Sequence, residues 1–174
     1  MESGLIENAC QRVSSDRNIV LIGMPGCGKT TVGRLLARET GRPFIGIDEQ
    51  LTGRFGISIA DFFARYGEAA FRDEETKLIA SLRDMSGCVI ATGGGSVLRA
   101  ENVRNLRAGG LLILLDRPLP LLEVSDERPL SRTRKDLEVL YAARRSLYRQ
   151  AADLIIDNSG SPDEAVRAIR EAVL

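Results

Sequence analysis

The stretch Gly23-Met24-Pro25-Gly26-Cys27-Gly28-Lys29-Thr30 decides the fold of this 174-residue chain. It carries the pattern G-x-x-x-x-G-K-[ST] at every fixed position. The apolar run Ile19-Val20-Leu21-Ile22 precedes it and a helix-like segment, Thr31 to Glu39, follows, so strand, loop and helix stand in the order a phosphate-binding loop requires. Glycines let successive backbone N–H groups turn inward around an anion, and the helix adds the positive end of its dipole. Lys29 is expected to reach the β- and γ-phosphates of a nucleoside triphosphate, and Thr30 to offer its hydroxyl to Mg²⁺. A glycine turn that merely joined strand to helix would demand neither residue.

The pattern continues outward as alternating strands and helices. Residues 43–48 read as a second buried strand ending in Asp48. Ser58-Ile59-Ala60-Asp61 is a capping-box start for a short helix to Arg65, and after Gly67-Glu68 a longer helix is expected from about Ala69 to Met85, with Phe71, Leu78, Ile79 and Leu82 as its stripe. Residues 88–92 read as a third strand, followed by Gly93-Gly94-Gly95 and a helix over 99–108. Leu111 to Leu115 is the most apolar run and is expected at or beside the sheet centre. The proline- and charge-rich segment 117–135 is expected to be a short lid. A helix over 137–152, a fifth strand at 154–156 and a last helix capped by Ser161, Pro162 and Glu164 complete the chain. The expectation is an α/β domain over 18–174: a five-stranded parallel sheet with helices on both faces and ligands at the carboxyl edge. Residues 1–17 are expected to be a flexible lead-in.

Composition narrows the chemistry. Twenty-four basic residues balance 24 acidic ones, so no overall field favours nucleic acid or an anionic membrane. No apolar run approaches the roughly 20 residues that span a bilayer, and the N-terminus lacks a signal-peptide centre, so a cytoplasmic protein is expected. Cys10, Cys27 and Cys88 include no C-x-x-C pair, which suggests neither a disulfide framework nor a zinc site. The chain has no histidine, which excludes serine–histidine and cysteine–histidine catalysis. Carboxylates, Lys, Arg, hydroxyls and backbone amides must carry the reaction.

A phosphate-binding loop alone does not separate a kinase from a GTPase, but the Asn-Lys-x-Asp base reader of GTPases is absent. Phe44-x-x-x-Asp48, Gly67-Glu68-x-x-Phe71-Arg72-x-x-Glu75, Gly93-Gly94-Gly95, Arg128-Pro129-Leu130 and Arg144-x-x-x-Tyr148, taken with the loop, resemble shikimate kinase from Ile19 to the C-terminus. The resemblance implies a P-loop NTPase fold of the nucleoside monophosphate kinase-like type. It also implies transfer of the ATP γ-phosphoryl group to the 3-hydroxyl of shikimate, with Mg²⁺, by a protein expected to act as a monomer on small molecules.

On that resemblance Gly26, Cys27, Gly28, Lys29, Thr30 and Thr31 bind ATP, and Pro162 borders its adenine. Asp48 holds the attacking hydroxyl and takes its proton. Arg72, Arg144 and the amides of Gly93, Gly94 and Gly95 hold shikimate, a pair of planar guanidinium groups suiting its planar carboxylate. Arg128 closes over the phosphates as an arginine finger does. Two departures stand out. The family pattern Phe-x-Asp-x-Asp has Gly46 at its first aspartate here, and the lid is short, without the arginine pair that stacks on adenine; Arg132 or Arg134 would have to serve. These gaps keep two other readings open: another kinase of the same fold, for gluconate or a nucleoside monophosphate, and a nucleotide-binding regulatory domain without turnover.

Overall fold

A computed structural model describes residues 16–174; the lead-in expected over 1–17 lies outside these except for its last two residues. The elements run β1 (Asn18–Ile22), α1 (Lys29–Thr40), β2 (Phe44–Gly46), α2 (Ile47–Phe55), α3 (Ile59–Ser81), β3 (Val89–Ala91), α4 (Ala100–Gly109), β4 (Gly110–Asp116), α5 (Arg134–Ala151), β5 (Leu154–Asp157) and α6 (Pro162–Val173). Single 3₁₀ turns occupy Ser96–Leu98 and Leu119–Leu121.

The five strands form one parallel sheet in the order β2-β3-β1-β4-β5. All five residues of β1 are buried, as a central strand covered on both faces requires. The chain leaves β1 in one direction, towards β2, and thereafter moves in the other, through β3 and β4 to β5. Right-handed crossovers therefore put α1 on one face and α3, α4 and α5 on the other, with α6 returning beside α1. The sequence direction reverses between β1 and β3, where a crevice opens at the carboxyl ends of the strands. Into that crevice run the loop after β1 and the glycine triplet after β3.

The core is one continuous cluster built on β1, β3 and β4 and on the apolar stripes of the helices. Helix α6 shows the logic plainly. Its buried residues Ala165, Val166, Ile169 and Val173 recur at helical spacing, while the Ser161 hydroxyl and Glu164 carboxylate cap its start reciprocally. No helix among the described residues is long and apolar enough to cross a membrane.

Three boundaries differ from expectation. Strand β2 ends at Gly46, and Ile47 already begins α2, so Asp48 sits in a helical first turn instead of at a strand end. The two helices expected around Gly67 meet there without a loop, because Gly67 adopts φ 82°, ψ 168° and turns the chain sharply inside α3; the second stops at Ser81, short of Met85. Helix α5 starts at Arg134, three residues before its apolar stripe. A second capping box causes this, the Thr133 hydroxyl accepting from the Asp136 amide and the Asp136 carboxylate from the Thr133 amide, so the lid segment ends at Thr133.

Candidate active site

The loop after β1 wraps a buried lysine. Lys29 Nζ donates to the carbonyls of Gly23 at 2.8 Å and Met24 at 2.9 Å, which hold the ammonium under the loop. The N–H groups of Gly26, Gly28, Lys29 and Thr30 donate to no protein acceptor among the described residues, so they remain available to an anion at the N-terminus of α1. Cys27 faces inward: its side chain is wholly buried, its amide bonds the Met24 carbonyl, and its own carbonyl accepts from Asn158 Nδ2 at 2.6 Å.

A cavity of about 190 Å³ opens over this loop, with Lys29, Thr30 and Thr31 on one wall and Asp48, Arg72, Arg144 and the glycine triplet on the other. Arg72 and Arg144 are almost fully buried. Arg72 Nη1 donates to Glu75 Oε2 at 2.9 Å, and Glu75, wholly buried, accepts from Ser96 Oγ at 2.7 Å through its other oxygen. The triplet is glycine for lack of space, not for positive φ. A β-carbon on Gly94 would lie 2.6 Å from Pro25 Cγ of the phosphate loop, and one on Gly95 2.2 Å from Arg72 Nη2.

Asp48 is open to the water of the cavity but walled in by protein on its other sides. That enclosure, and then the Glu75 carboxylate, hold its carboxyl above the usual range, while Lys29, Arg72 and Arg128 pull the other way. The result is a carboxylate readier than most to accept a proton.

The lid packs onto the loop through its backbone. Glu123 N–H donates to the Gly26 carbonyl at 3.2 Å, and Gly26, at φ 77°, has no room for a side chain because a β-carbon would sit 2.1 Å from the Glu123 oxygen. Arg128 lines the cavity with Nη1 on the Glu123 carbonyl at 3.0 Å. Neither Arg132 nor Arg134 lines it, and Arg134 is tied instead to the Leu119 carbonyl. Pro162 lies apart, in an adjoining groove with Arg34 and Arg38 that shares Thr30 and Thr31 with the cavity.

The family model described as shikimate kinase matches residues 25–174. The chain belongs to the shikimate kinase family. Among curated shikimate kinases, that of Nitrosococcus oceani is 44% identical over 156 residues, covering 86% of this chain and 82% of that protein. That of Methylococcus capsulatus is 44% identical over 164 residues, covering 90% and 92%. Among solved structures, shikimate kinase from Acinetobacter baumannii in complex with shikimate superposes with a TM-score of 0.84 at 34% identity, covering 89% of this chain and 91% of that one. In this shikimate kinase family member the cavity wall that carries Arg72 and the glycine triplet also depends on residues that motif reading leaves without a role. Glu75 and Ser96 brace Arg72 from behind, and Tyr148 donates to the Gly94 carbonyl. Glu75 and Tyr148 stand inside the quoted motifs, but their partners, Ser96 and Gly94, lie 21 and 54 residues away along the chain.

Proposed function

We propose that this chain transfers the γ-phosphoryl group of ATP to the 3-hydroxyl of shikimate, giving shikimate 3-phosphate and ADP, the reaction that its family membership names. The observation that carries the reading is the cavity itself: a phosphate loop with unused amides faces, across one small volume, a carboxylate and two buried arginines. Arg72 already has the Glu75 carboxylate as a counter-charge, but a neutral sugar-like acceptor would leave Arg144 buried without one among the described residues, at a cost of several kcal/mol. An acceptor that carries a carboxylate beside its hydroxyls supplies it. A ring carboxylate on Arg72 and Arg144 turns the hydroxyl edge towards Asp48 and the loop.

In the reaction the hydroxyl oxygen attacks γ-phosphorus, the bond from phosphorus to the β–γ bridging oxygen breaks, and the hydroxyl proton passes to Asp48. Lys29 leaves its two carbonyl partners for the phosphates, and Arg128 offsets the charge spread over the equatorial oxygens. The metal is Mg²⁺ brought in on the nucleotide. Among the described residues no cluster of three or more acidic, cysteine or histidine side chains is present. The Thr30 hydroxyl, at the start of α1 and on the cavity wall, would be the protein's ligand to the ion, which would draw charge from the phosphates. Pro162 and its groove border the adenine. The working form proposed is a monomer acting on small molecules, in the cytoplasm where ATP is supplied. The test is a coupled ADP-release assay offering shikimate, gluconate and nucleoside monophosphates separately: release with shikimate alone is expected, and ATP binding without shikimate-dependent release overturns the reading.

A further inference from the structure

Helix α5 brings two side chains to the acceptor wall from successive turns of one face, Arg144 and Tyr148. Arg144 lines the cavity; Tyr148 does not. The Tyr148 ring is 2% exposed, and its hydroxyl donates to the Gly94 carbonyl at 2.5 Å. Every peptide bond described is trans, so the Gly94 carbonyl and the Gly95 N–H share one plane and point opposite ways. Holding the carbonyl towards α5 therefore aims the Gly95 N–H the opposite way, and the α-carbon of Gly95 packs against the Arg72 guanidinium. That N–H donates to no protein acceptor among the described residues, although the neighbouring Ser96 N–H is used by the Gly93 carbonyl.

We infer that Tyr148 is a positioning residue for acceptor binding: its hydroxyl locks the Gly94–Gly95 peptide so that the Gly95 N–H joins Arg72 and Arg144 as a preset third donor to the acceptor carboxylate. Glycines on both sides of that peptide leave it free to rotate unless something holds it, and a glycine backbone loses more freedom on ordering than any other. The triplet must be glycine for close packing, so the restraint has to come from outside it. Burial pushes the Tyr148 phenol up to about 12, with Arg144 beside it acting in the opposite sense, so the hydroxyl stays a donor throughout the working range. The bond is thus independent of pH, as a fixed scaffold requires.

The inference rests on the acceptor proposed above. Tyr148→Phe keeps the ring and its packing and removes only the hydroxyl. The expected result is a shikimate KM raised about tenfold, on the order of 1.4 kcal/mol, with kcat within about twofold and the ATP KM unchanged. In ¹H–¹⁵N spectra the Gly95 amide proton of the wild type is expected to shift strongly downfield on adding shikimate, and that shift to shrink in the variant. Equal losses for shikimate and ATP would mean a general structural role and overturn the inference, as would an unchanged shikimate KM. A wild-type protein indifferent to shikimate would instead overturn the acceptor assignment itself, so the two failures are distinct.

Discussion

Asp48 Oδ1 and Glu75 Oε1 approach one point from different helices, lying 2.9 and 2.7 Å from where a β-carbon on Gly93 would stand. One carboxylate faces the cavity and the other is wholly buried and tied to Arg72. Like charges this close favour protonation of the one less well compensated, which is the cause that adds to enclosure in raising the Asp48 carboxyl.

The pH dependence follows. If the ionised Asp48 holds the acceptor hydroxyl, kcat/KM falls as pH drops through a value above that of an ordinary aspartate. Glu75→Gln removes the neighbouring negative charge, so the acid limb should move to lower pH even though the maximal rate drops with loss of the brace on Arg72. A pH–rate profile of both proteins checks this; an acid limb moved upwards would contradict it.

Stability carries the opposite sign to activity at the same residue. A carboxyl raised in the folded state binds its proton more tightly there than in the unfolded chain, so its contribution is most favourable below the ordinary value of 3.8 and is lost as pH rises through the folded one. Asp48→Asn should therefore raise the melting temperature of the ligand-free protein at pH 7, the gain disappearing towards pH 4, while turnover falls about 10²- to 10⁴-fold. Thermal unfolding at both pH values and initial rates are the measurements. A lower melting temperature at pH 7 would show that Asp48 is a structural anchor.

The two arginines of the acceptor wall should separate in the same kind of experiment. Arg144 makes no ion pair among the described residues, so Arg144→Ala should weaken shikimate binding by about 1.5–3 kcal/mol and leave ATP binding nearly unchanged. Arg72→Ala strands the buried Glu75 carboxylate and should also destabilise the fold, by about 3–5 kcal/mol. Calorimetric titration of each ligand, with denaturant unfolding beside it, distinguishes a binding residue from one that is both.

Much of this architecture was legible in the chain. The loop pattern between an apolar run and a helix placed β1 and α1, and the runs after it placed the other strands, because parallel strands buried on both faces are short and uninterrupted. The start of α2 was hidden because Ile45-Gly46-Ile47 reads as strand throughout, and nothing in its composition marks a helix beginning one residue after Gly46. The start of α5 was hidden by the charges from Arg132 to Lys135, which conceal a capping box that only its hydrogen bonds reveal. The site showed the same division. The residues proposed to face ligand fell within motifs, whereas the contacts from Tyr148 to Gly94 and from Ser96 to Glu75 join distant segments and exist only once the sheet has formed.

Gly46 is the departure whose meaning the fold changes. A side chain at 46 cannot share a strand face with Asp48, since α2 has begun between them. It would meet Glu49 instead, with the Glu49 carboxyl carbon 3.1 Å from a β-carbon. That carboxylate is the end of a flexible side chain held by exposed Arg34, and the backbone at 46 is ordinary extended chain. Gly46→Asp should therefore fold with a melting temperature within a few degrees of wild type and lower the Mg²⁺ concentration for half-maximal rate. A Mg²⁺ titration of initial rates tests it, and an unchanged requirement would show that a carboxylate at 46 has no part in holding the metal.

The most direct test of the central claim is the identity of the product. After reaction of the wild-type protein with ATP, Mg²⁺ and shikimate, ¹H–³¹P correlated NMR should show phosphorus coupled to the ring proton at carbon 3, in amounts equal to the ADP formed. ADP accompanied only by inorganic phosphate, or phosphorus coupled at another ring carbon, would contradict the placement of the acceptor between Arg72, Arg144 and Asp48.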